Sequence, residues 1–107
     1  MTLDPTTRQQ IAQRIRIAQP LVNDVLLFGS QARGDARQDS DVDLLIVVPD
    51  EVDRRACGRQ LQLALDGLGL GFDLVVLSET EFAALRASHG QLQRTVLREA
   101  RDLLEAA

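Results

Sequence analysis

Apolar positions along the chain gather into three short runs: Leu26-Leu27-Phe28, Leu44-Leu45-Ile46-Val47-Val48 and Leu74-Val75-Val76-Leu77. Runs of this length, bounded by turn residues, read as strands. The pattern predicts strands over Val22–Phe28, Asp41–Val48 and Phe72–Leu77, with Gly29 ending the first and Pro49 closing the second. Ahead of them Asp4-Pro5 supplies an N-cap and a preset first turn, and Ile11, Ile15 and Ala18 recur at helical spacing as far as Pro20. Asp50 is placed to cap a helix over about residues 51–66, with Gly67 as its stop. Ser78-x-x-Glu81 is a capping box opening a further helix. After a break at Ser88-His89-Gly90, Leu92, Val96, Ala100, Leu103 and Leu104 form the stripe of a last amphipathic helix. Residues 29–40 are polar and read as a loop with one helical turn. The order predicts an α/β (α+β) fold, a small mixed sheet of about three strands covered by helices.

With 107 residues, the chain has room for one domain, taken as residues 1–107. No apolar run approaches the roughly 20 residues that cross a bilayer, and no signal peptide opens the chain, so the cytoplasm is the expected location. The lone Cys57 excludes an internal disulfide and a multi-cysteine zinc site. Twelve basic against sixteen acidic residues leave a net charge of −4, which argues against a general nucleic-acid binder. All the basic residues are arginine, so a Walker-A lysine and Schiff-base chemistry are excluded. Tryptophan and tyrosine are absent, and Phe28, Phe72 and Phe82 do not make a base-stacking platform.

The chemistry gathers in GSQARGDARQDSDVDLLIV. Residues two apart on a strand point the same way, so Asp41 and Asp43 share a face while Val42, Leu44 and Ile46 face the helices. Asp73 begins the next apolar run, and a neighbouring strand would bring it to the same place. Three carboxylates repel unless a cation sits among them, and hard oxygen donors suit Mg²⁺ or Mn²⁺. The Gly29-Ser30 turn offers a close backbone approach and a hydroxyl to a phosphate, and Arg33 stands where it can neutralise phosphate charge. Asp39-x-Asp41-x-Asp43 also invites a calcium-loop reading, but Leu44 occupies the position where that loop needs glycine.

Taken together, Gly29-Ser30, Asp41-x-Asp43 and the Phe72-Asp73-Leu74-Val75-Val76 strand resemble the signature of the minimal nucleotidyltransferases, a branch of the DNA polymerase β superfamily. The resemblance covers essentially the whole chain. It implies a nucleotidyltransferase fold, metal ligands and catalytic groups at Asp41, Asp43 and Asp73, and nucleotide phosphates held by Gly29 and Ser30, with Arg33 assisting. It implies Mg²⁺ or Mn²⁺ as cofactor and ATP as the nucleoside triphosphate. Members this short resemble antitoxins paired with HEPN-domain ribonuclease toxins, which they inactivate by transferring AMP to a tyrosine. A hetero-oligomer with such a toxin is the implied assembly. Two other readings stand beside it: an antitoxin that masks its toxin without catalysis, and a transferase acting on a small molecule.

The remaining polar residues read as structural. His89 is a turn residue, Cys57 a packing residue, and Asp35 and Asp39 shape the loop. Arg54, Arg55 and Arg59, like Arg94, Arg98 and Arg101, read as solvated helix faces. Leu45, Val47, Val75 and Leu77 continue the face of the carboxylates, so both sheet faces are apolar and a further subunit is expected over one of them.

Overall fold

The computed structural model describes residues 4–28, 41–87 and 101–102. Helix α1 (Pro5–Ala18) leads into strand β1 (Asp24–Phe28), followed by β2 (Val42–Val48), helix α2 (Arg54–Leu65), β3 (Phe72–Ser78), helix α3 (Glu79–Arg86) and a two-residue β4 (Arg101–Asp102). The sheet order is β3-β2-β1-β4. Strand β2 is central: it runs antiparallel to β1 and parallel to β3, which makes the sheet mixed, as expected. The parallel neighbour requires a crossover, and α2 provides it.

The helix-facing side of the sheet holds the core. Val25 and Leu27 of β1 and Val42, Leu44, Ile46 and Val48 of β2 are fully buried there. They meet Ile11 and Ile15 of α1 and Cys57, Leu61 and Leu65 of α2, residues four apart that form one stripe on each helix. Cys57 is therefore a packing residue, and burial pushes its thiol pKa up. The helices are also tied at their ends. Arg14 of α1 donates to the carbonyls of Ala64 and Asp66 at 3.1 and 3.0 Å, placing a cation at the C-terminus of α2.

The start of α1 follows the sequence: Asp4 caps it and accepts from the Thr7 N–H at 2.7 Å, with Pro5 in the first turn. The capping box of α3 is also present, with Ser78 and Glu81 each accepting from the other's backbone N–H. The expected Asp50 cap of α2 is corrected. Asp53 fills that position, accepting from the N–H groups of Arg55 and Ala56, so the helix begins at residue 54. Asp50 instead accepts from the backbone N–H and hydroxyl of Thr80, tying the loop after β2 to the start of α3. Both aspartates suit a helix N-terminus, and the turn that Val52 N–H closes on the Pro49 carbonyl selects the later one. Gly67 does stop α2, with a φ of 91° that suits glycine.

The predicted last helix is corrected at residues 101–102. Residues 101–102, which the apolar stripe assigned to it, pair antiparallel with Leu26 and Leu27. The unpaired edge of β1 outweighs helical periodicity there, because its N–H and C=O groups need partners. The rest of that segment, His89 included, lies outside the described residues.

Hydrogen bonds from Thr80 hold the Asp50 carboxyl below its usual range, chiefly through the side chain. The Ser78 N–H, with Arg54 contributing, does the same for Glu81. A depressed carboxylate pKa stabilises the fold above the unfolded value, near 4, and that contribution disappears as pH falls through the folded value. Asp50→Ala should therefore lower the urea midpoint at pH 7, with the gap to the parent closing below about pH 4. Urea melts of both proteins across this range check it.

Candidate functional site

Register brings the predicted carboxylates to one end of the sheet. Asp43 is the direct partner of Asp73 across the parallel β2–β3 pair, so both project to the face opposite the core. Asp41 sits one residue before β2, opposite Gly71, whose carbonyl accepts from the Val42 N–H at 2.8 Å. Asp41 and Asp73 are exposed and Asp43 is half-buried. Phe28, the last residue of β1, pairs with Asp43, so β1 ends at the carboxylate end of the sheet. Gly29, Ser30 and Arg33 themselves lie outside the described residues, as do Asp35 and Asp39.

A set made wholly of carboxylate oxygens matches a hard divalent cation such as Mg²⁺ or Mn²⁺ in chemistry. Adjacent strands stand about 4.8 Å apart, so Asp43 and Asp73 can close on one ion by rotation about their side-chain bonds. As the side chains stand, no three His, Cys, Asp or Glu among the described residues converge enough to hold a metal. The aspartates thus share a face and an end of the sheet, and ligation requires them to swing together.

Gly71 is a residue the apolar pattern did not single out. A Cβ built there would collide with the Asp41 carboxylate, lying 3.2 Å from its Cγ. The signal was in the sequence: aligning Asp41-Val42-Asp43 beside Gly71-Phe72-Asp73 puts glycine where the first carboxylate needs room. Gly71→Ala should leave the fold intact but displace Asp41, raising the Mg²⁺ concentration needed for half-maximal nucleotide binding about tenfold. Titration of Mg²⁺ at fixed nucleotide checks this.

The sequence matches the model of the nucleotidyltransferase domain over residues 8–103. The chain belongs to the nucleotidyltransferase domain family. Solved structures agree. A protein assigned as a minimal nucleotidyltransferase is 33% identical over 92% of this chain and 95% of its own, with a TM-score of 0.63. A toxin–antitoxin structure with AMP-PNP gives 26% identity over 90% and 71%, with a TM-score of 0.58. A protein from Sulfolobus solfataricus assigned as a nucleotidyltransferase gives 27% over 75% and 71%, with a TM-score of 0.57. No protein of curated function shows significant similarity. The α+β fold expected from the resemblance is the fold observed.

Leu45 and Val47, on the carboxylate face, are buried within the chain, while Val75, two residues beyond Asp73 on the same face, is 46% exposed. The apolar surface there is narrower than the sequence implied. No helix of the described residues is long and apolar enough to cross a membrane.

Proposed function

We propose that this chain is a metal-dependent nucleotidyltransferase that moves AMP from ATP to a tyrosine hydroxyl of a HEPN-type toxin, as the antitoxin of that pair. The observation that carries the reading is the Asp43–Asp73 register on adjacent parallel strands, with Asp41 against Gly71 at the same end. Likeness to a toxin–antitoxin structure with AMP-PNP supports both the nucleotide and the partner. Asp41, Asp43 and Asp73 would hold Mg²⁺ or Mn²⁺, which when bound neutralises charge on the triphosphate.

The chain's own groups do the rest. The Gly29-Ser30 turn gives N–H groups and a hydroxyl to the β- and γ-phosphates, and Arg33 offsets their charge. Asp73 accepts the proton of the acceptor hydroxyl. The acceptor oxygen bonds to the α-phosphorus as the bond to the β-phosphate oxygen breaks, and pyrophosphate leaves. The whole chain acts as one domain in the cytoplasm, as a hetero-oligomer with its target.

The test is incubation with a HEPN-type toxin, Mg²⁺ and ATP, followed by mass spectrometry of the toxin. AMP on a tyrosine, absent when Asp43→Asn replaces the parent, is the expected result. A neutralised but unmodified toxin with both proteins would instead make the chain a masking antitoxin.

A further inference from the structure

Strand β3 is the outermost strand among the described residues, and its outer edge faces a groove of about 1090 Å³ walled by α2. Because the Gly71 carbonyl faces β2, alternation turns the N–H and C=O groups of residues 72, 74 and 76 outward. The Phe72 carbonyl takes a hydrogen bond from Gln62 of α2 at 3.3 Å, as that alternation requires. Leu74 and Val76 floor the groove, and Leu63 stands on its rim at 76% exposure.

The wall is basic. Arg54 is engaged by Glu81 at 2.6 Å, and Asp53 is occupied in capping α2. Arg55 and Arg59 are one helical turn apart and both exposed, and their guanidinium groups have no hydrogen-bond or ion-pair partner among the described residues. Among the described residues the groove therefore combines an unpaired strand edge, an apolar floor and two unengaged guanidinium groups.

We propose that this groove docks an extended acidic segment of a partner protein, which joins the sheet as a strand beside β3 and sets its carboxylates on Arg55 and Arg59. The edge supplies main-chain hydrogen bonds, the floor takes alternate apolar side chains, and the arginines select for carboxylates. A peptide fits better than a nucleic acid, because no aromatic residue among those described lines the groove and the chain carries a net charge of −4. Leu74 and Val76 point away from Asp73, so the groove lies on the opposite face from the carboxylates and can be filled independently of them.

The test is selection of phage-displayed random decapeptides on the full chain and, in parallel, on the Arg55→Glu/Arg59→Glu and Arg55→Gln/Arg59→Gln variants. The expected result is enrichment of proline-free sequences with acidic residues at alternate positions. A synthetic selected peptide should bind both variants at least about tenfold more weakly. It should also slow amide exchange at Leu74 and Val76 by about tenfold on the parent chain. Nucleotide binding at the carboxylates should be unchanged in the variants, which separates this surface from the proposed transferase site. Absence of acidic enrichment, equal binding by the variants, or unchanged exchange at Leu74 and Val76 would overturn the proposal. So would displacement of the selected peptide by single-stranded RNA.

Discussion

Asp43→Asn is expected to lower nucleotide transfer on the order of 10³-fold while leaving the chain folded. The amide has the size of the carboxylate and one acceptor oxygen, but it lacks the charge that a divalent cation and a triphosphate require. Asp43 lies directly opposite Asp73, so removing its charge also relieves a like-charge pair across the β2–β3 ladder. The melting temperature of the metal-free protein should therefore hold or rise. Transfer assayed with labelled ATP, beside a thermal melt, checks both halves. A loss of less than about tenfold, or a collapsed melt, would make Asp43 a structural residue.

Leu44→Ala, one residue along, should do the reverse. Leu44 is fully buried, points to the opposite side of the sheet, and pairs with Leu27 and Leu74 in the core beneath α1 and α2. Truncation removes three carbons from the central strand and leaves a cavity, at a cost of about 3 kcal/mol. For a domain of this size that corresponds to a fall of roughly 10–20 °C in melting temperature, read by calorimetry. Adjacent residues on opposite faces thus separate chemistry from stability, and the contrast depends on the strand register.

That register was largely legible in the chain. The alternation Asp41-Val42-Asp43-Leu44 assigned its own two faces because one side had to be buried, and Asp73 joined the pattern because its apolar run has the same parity. What the pattern did not carry were choices among near-equivalent local partners. Asp50 and Asp53 are both good caps, and a turn closed by Val52 decides between them. Residues 101–102 fall within the helix that the apolar stripe predicts, yet the edge of β1 recruits them, a pairing made across more than seventy residues. Gly71 was legible only once the two strands were laid side by side. The arginines of α2 looked like a solvated face because no sequence pattern shows that the neighbouring strand is the outermost among the described residues.

The central claim is that the carboxylate face binds a metal–nucleotide complex, and calorimetry with AMP-PNP tests it without needing an acceptor. Titration into the chain with Mg²⁺ present should show saturable binding that is lost when EDTA replaces Mg²⁺ and weakened at least about tenfold in Asp43→Asn and Asp73→Asn. Equal binding by all three proteins, or binding indifferent to Mg²⁺, would contradict the assignment of these aspartates.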